Sequence, residues 1–217
     1  MATGWSSGGE ASQSQAQPTE SVKHHAQMMY LDQTSNRCFL VYAKALDITW
    51  SGDPRYWRWV QETRLHCCDG PTEAAELLKV CWLEVRGKLN TTKLSPGIRY
   101  EVVFVVKLQA KAYGWDVPVN LKLTVPHASE NRWSKVNLID KAREQWIEIP
   151  VGDFIASPEK PGDVEFSLYE YDGRWKSGLV IKGVCRSAKL LITWHMSREM
   201  MFWFFHFNAE MRELHMQ

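Results

Sequence analysis

From Cys38 onward, apolar and polar positions alternate over most of the chain with the period of two that a pleated strand requires. In VNLKLTV, Val119, Leu121, Leu123 and Val125 fall on one face and Asn120, Lys122 and Thr124 on the other, which predicts a strand buried on one side. The segment YEVVFVVKL, Tyr100 to Leu108, is apolar on both faces at its centre and predicts a central strand of a two-layer fold. CFLVYAKAL supplies the first strand, and VCWLEVRGKL, QWIEIPV, DVEFSLYEY and SGLVIKGV complete the set. In VCWLEVRGKL the pattern draws Cys81, Leu83 and Val85 inward. PTEAAELLK is the one short helical candidate and could equally be extended.

Turn residues punctuate these runs: Ser51-Gly52-Asp53-Pro54, Ser95-Pro96-Gly97, Lys160-Pro161-Gly162 and Asp172-Gly173. Seven or eight strands without intervening amphipathic helices predict an all-β fold, a β-sandwich. Residues 1–27 are rich in Ser, Gly, Gln and Ala and bury too little apolar surface to offset their ordering entropy, so a disordered arm is expected there. The domain is expected over 28–187. Residues 188–217 form an atypical tail. Its MMFWFFHF is only eight residues long, and with His195, Arg198 and Glu199 nearby it does not predict a membrane-spanning helix; a helix lying on the domain is one reading.

Composition narrows the function. A net charge of +1 over 217 residues gives no strong field toward nucleic acid or anionic lipid. The N-terminus has neither the basic start nor the apolar run of a secretory signal, and no long apolar segment appears, so a cytoplasmic protein is expected. Five cysteines, an odd number, argue against a secreted disulfide framework.

Among chemistry-bearing residues, Glu148, Asp163, Glu165 and Glu170 could pair as glycosidase carboxylates, but no spacing singles them out from solvated strand acids. LHCCDG places Cys67 and Cys68 side by side, which is not the hook of a tetrahedral zinc site, so no metal and no cofactor is expected. On an exposed loop these two are better read as reactive thiols, with Cys81 an inert core thiol. The tryptophans stand out: there are eleven, more than either Phe or Tyr. Three of them fall in DITWSGDPRYWRWV around a turn. Flat rings stack on the apolar C–H faces of sugars while nearby polar groups bind the hydroxyls. Trp50 and Trp57 are the candidate platforms, with Asp53 and Arg55 as polar partners; if Trp57 and Trp59 lie on a strand they share a face, and either ring could instead be core.

Six segments in order, YAKALDITWSGDPRYWRW, VCWLEVRGKL, SPGIRYEVVFVVKL, AYGWDVPVNLKLTVP, WIEIPVGDF and WKSGLVIKGV, resemble the phloem protein 2 family of plant lectins, which shares its domain with the jasmonate-inducible tobacco lectin. The resemblance covers Tyr30 to Val184. It implies a jelly-roll β-sandwich that binds N-acetylglucosamine oligomers, chitin fragments, the N-glycan core and glycoproteins without catalysis, forms homodimers, and resides in the cytosol of companion cells and sieve-tube sap. It ties sugar binding to Trp50 and Trp57 and to acids that fall here on Asp163 and Glu170; at Asp163 the tobacco type carries Glu, so the reach is shorter. It also implies disulfide linkage to phloem filament protein, for which Cys67 and Cys68 are the candidates, and an association with RNA–protein transport. The near-neutral charge makes any RNA binding weak. Two features depart from the family: the basic nuclear-localisation run is absent, and nothing in the tail resembles the family's usual ending.

Overall fold

The computed structural model describes residues 27–31, 35–65 and 68–188; most of the expected arm and tail lies outside the described residues. Twelve strands appear among them: β1 (Gln27–Leu31), β2 (Arg37–Tyr42), β3 (Asp47–Ile48), β4 (Trp57–Leu65), β5 (Cys68–Leu77), β6 (Leu83–Asn90), β7 (Arg99–Tyr113), β8 (Val119–Thr124), β9 (Arg132–Val136), β10 (Trp146–Ile155), β11 (Asp163–Glu170) and β12 (Ser177–Ala188). They form two antiparallel sheets packed as a jelly-roll β-sandwich.

The five-stranded sheet runs β3-β6-β11-β8-β9. In the seven-stranded sheet β12 is central, with β7 and then β10 on one side. On its other side β2 pairs with its later half and β5 with its earlier half, and these carry β1 and β4 outward. Among the strands the pattern does not show, β1, β3 and β9 are short edge strands with little alternation to read, while β4 and β5 are long strands that follow the Trp-rich turn and contain the helical candidate.

The sandwich is held by the inward rows of both sheets. Leu83, Val85 and Leu89 of β6, Val119, Leu121 and Leu123 of β8, and Val164, Phe166 and Leu168 of β11 meet Val102, Phe104 and Val106 of β7, all essentially buried. Phe104 and Phe166 touch edge to face, with ring centroids 5.9 Å apart. Such pairs add to the burial of their area. Opposite Phe166 in the ladder stands Gly87, where a Cβ would come within 2.4 Å of the Phe166 ring, so the glycine leaves the space that the aromatic fills.

β7 is buried on both faces from Val102 to Val106, as its continuous apolar run predicts. One open alternative is resolved and one expectation needs correction. PTEAAELLK, which could be helical or extended, falls mostly in β5, with Ala75 and Glu76 paired to Ile181 and Val180 of the central strand; sheet pairing overrides the helical preference of Ala and Glu. Cys81 is not on a strand: β6 begins at Leu83, so Leu83 and Val85 point inward as expected while Cys81 sits half-buried in the preceding bend.

Candidate functional site

The Trp-rich turn is built in tight steps. β3 ends at Ile48, which pairs with Val85, and the Thr49 amide then donates to the Glu84 carbonyl at 3.1 Å. Trp50 takes a left-handed backbone conformation (φ 63°), which turns the chain away from the sheet. The Ser51 amide donates to the Ile48 carbonyl, the Asp53 amide to the Trp50 carbonyl and the Tyr56 amide to the Asp53 carbonyl. Asp53 accepts from the Arg55 amide at 2.9 Å and from the Arg55 guanidinium at 2.6 Å. These hydrogen bonds hold the Asp53 carboxyl below its usual range. Trp50 is left 48% exposed, its ring 5.4 Å from Tyr56, and the Arg55 guanidinium lies over the other ring.

Trp57 is a different kind of residue. It opens β4, is only 2% exposed, and joins the core cluster, so it presents no face to a sugar. Its role as a platform is corrected to that of an anchor: its Nε1 donates to the Thr49 carbonyl at 3.0 Å and so pins the root of the Trp50 turn. Trp57 and Trp59 do share a face; Trp59 packs beside the core with the Lys44 ammonium 3.8 Å from its ring centre.

Glu84, on the outward face of β6, joins the turn to the sheet. It accepts from the Thr49 hydroxyl at 3.3 Å and the Tyr171 hydroxyl at 2.6 Å, with Arg86 at 3.7 Å. Burial, and then the bond to Glu84, push the Tyr171 phenol well above its ordinary value, so it stays protonated and donating. Tyr171 stacks on Trp82 at 4.3 Å. Sequence reasoning missed Glu84, Tyr171 and Trp82. The signal was present, since Trp82 and Glu84 fall outward in VCWLEVRGKL, but nothing local ties them to a turn more than thirty residues earlier.

Of the two acids expected late in the chain, Glu170 lies at this end but points inward and is 7% exposed. Its oxygens accept from the Asn120 side chain at 3.2 Å and the Asp172 amide at 3.0 Å. Asp163 is at the other end of the same strand, bonded to Asn90 at 2.9 Å with Lys88 at 3.5 Å. Seven strand steps at about 3.3 Å each put it roughly 23 Å from Glu170. The structure therefore gathers Trp50, Asp53 and Glu170 near one end of the sandwich and leaves Asp163 at the other.

Below Glu170, Lys176 is fully buried and donates to the Cys81 carbonyl at 3.0 Å, the Arg174 carbonyl at 3.1 Å and the Asp172 carboxylate. Burial pushes the Asp172 carboxyl up, but the bonds from Lys176 and the Arg174 amide outweigh it and hold it below the usual range. This cluster fastens the 172–176 turn under Tyr171. Cys67 lies outside the described residues. Cys68 opens β5, and the expected thiol chemistry of the two is not addressed by the described side chains.

The sandwich carries an exposed aromatic cluster at one end, and the relatives it resembles are carbohydrate-binding lectins. The family model for phloem protein 2 matches residues 36–188, and the chain belongs to that family. It is 43% identical over 177 residues to Protein PHLOEM PROTEIN 2-LIKE A1 of Arabidopsis thaliana, covering 79% of this chain and 68% of that one. It is 47% identical over 158 residues to a lectin of Luffa acutangula, covering 71% and 72%. Among solved structures, that of TmCBM61 in complex with beta-1,4-galactotriose aligns with a TM-score of 0.40 at 12% identity, covering 66% of this chain and 87% of that one.

Proposed function

We propose that the protein is a lectin for N-acetylglucosamine oligomers, chitin fragments and the N-glycan core among them, and that it binds them at the Trp50 end of the sandwich without cleaving them. The observation that carries this reading is the Trp50 ring itself: half of it faces solvent, on a turn braced by four backbone hydrogen bonds and by Trp57. A platform held rigid before the ligand arrives loses little freedom on binding.

In this reading the Trp50 ring stacks on the C–H face of a sugar, and the Asp53 and Glu84 side chains accept from its hydroxyl and acetamido N–H groups. Hydrolysis would need a general acid and a second carboxylate facing one bond. Here Glu170 is turned inward with both oxygens engaged, Glu148 lies on the other sheet, and of Asp163 and Glu165, which share the outer face of β11, Asp163 is held by Asn90 and Lys88. The phloem naming of the relatives supports residence in phloem sap. Calorimetric titration with chitotriose, followed by product analysis after incubation with chitotetraose, tests the proposal. Saturable binding with no shortened products is expected; turnover, or no heat of binding, would overturn it.

A further inference from the structure

The exposed aromatics do not stop at the Trp50 turn. Tyr171 stacks on Trp82 at 4.3 Å, Tyr169 lies 4.9 Å beyond Tyr171, and Trp133 meets Tyr169 edge to face at 6.3 Å. These rings come from the bend before β6, from β11 and the turn after it, and from β9, with β8 between. They form one diagonal stripe over the outer face of the five-stranded sheet, and Trp82, Tyr171 and Trp133 are 48%, 41% and 59% exposed.

Large aromatics left this open on a sheet face are costly unless something covers them. Three features indicate what does. The rings form one unbroken run of contacts across the face, with 4.3, 4.9 and 6.3 Å between successive centroids. Polar side chains flank the stripe: Lys122, whose ammonium is 4.7 Å from the Trp133 ring centre and which faces Ser167 across the ladder, and Glu84 and Arg86 on the other side. The charges on this face are mixed, Arg86, Lys88 and Lys122 against Glu84, Asp163 and Glu165. It therefore attracts neither a polyanion nor a polycation, and suits a neutral polyhydroxylated chain.

We infer that the outer face of the five-stranded sheet is a second binding surface for an extended neutral oligosaccharide, continuing from the Trp50 end along Trp82, Tyr171 and Tyr169 to Trp133. The inference takes its ligand class from the lectin reading and adds chain length to it: a short oligomer occupies the Trp50 end alone, while a longer one also lies along the stripe.

The test is calorimetry with chitobiose and chitohexaose on the wild-type protein, Trp133→Ala and Trp133→Phe. Trp133 is outside the core, so the Ala variant should keep its melting temperature. Trp133→Ala should weaken chitohexaose at least about fivefold, the effect of losing one stacking ring, and leave chitobiose unchanged, with Trp133→Phe recovering most of the loss. If the wild type binds both sugars and Trp133→Ala alters neither, the lectin reading stands and the stripe is refuted. If both sugars weaken equally, the length dependence is wrong and the inference fails. If Trp133→Ala instead splits a dimer in sedimentation while hexamer affinity holds, the face is a self-association surface and the inference is likewise refuted. If the wild type binds neither sugar, both readings fall together.

Discussion

Replacing Trp57 separates packing from recognition. The indole is 2% exposed, sits in the core cluster, and its Nε1 satisfies the Thr49 carbonyl. Trp57→Ala removes nearly all of that buried ring; comparable truncations cost about 3–5 kcal/mol. At about 2–4 °C per kcal/mol for a domain of this size, the melting temperature should fall by roughly 6–20 °C. Trp57→Phe keeps most of the apolar volume but leaves the Thr49 carbonyl without its donor, costing about 1 kcal/mol beyond the repacking. Because Thr49 immediately precedes Trp50, the Phe variant should stay folded yet bind chitotriose more weakly, the turn having lost its anchor. Thermal unfolding monitored by circular dichroism, with titration well below the transition, reads both effects. A Trp57→Ala protein that melts within about 2 °C of wild type and has lost only its affinity would refute the assignment of this ring to the core.

Three further outcomes follow from the geometry. Asp163→Asn should leave chitotriose affinity within about twofold, because that carboxylate is roughly 23 Å along the strand from Glu170; a large loss in titration would place the site elsewhere. Lys176→Met should destabilise by about 3 kcal/mol, since it removes the buried donor that the Asp172 carboxylate and two carbonyls share. The Asp172 carboxyl is held below its unfolded value, so its stabilising share is full above about pH 4 and is lost as pH falls through the folded value; denaturant unfolding should show a shallower acid limb in Lys176→Met than in wild type, the Arg174 contacts remaining. Gly87→Ala should cost about 1–3 kcal/mol by displacing the Phe166 ring, and an unchanged denaturation midpoint would show that the ring has room to move.

The strands with strong alternation, β8 and β11, and the doubly apolar β7 were legible because burial imposes a period of two. The short edge strands were not, having too few residues to show a period. β5 was ambiguous because Ala and Glu favour helix locally, and only its ladder with β12 decides for the strand. Within the site, Trp50 and Asp53 were legible from the turn chemistry around Gly52 and Pro54. Trp57 was misjudged, because a tryptophan beside a ligand turn and one beneath it look alike in sequence; strand register sends Trp57 inward, while the left-handed turn at residue 50 carries Trp50 outward. Glu84, Tyr171 and Trp82 converge through antiparallel pairing of β6 with β11, a long-range relation that no local pattern encodes.

The central claim is that an exposed, rigid Trp50 is the sugar platform. Titration of chitotriose into wild type and Trp50→Ala at one temperature tests it most directly, with matched melting curves to show that both proteins are folded. The account predicts saturable binding by wild type and a loss of about 1–3 kcal/mol in the variant, roughly five- to 150-fold in affinity, with unchanged stability. Equal affinity in the two folded proteins would contradict it.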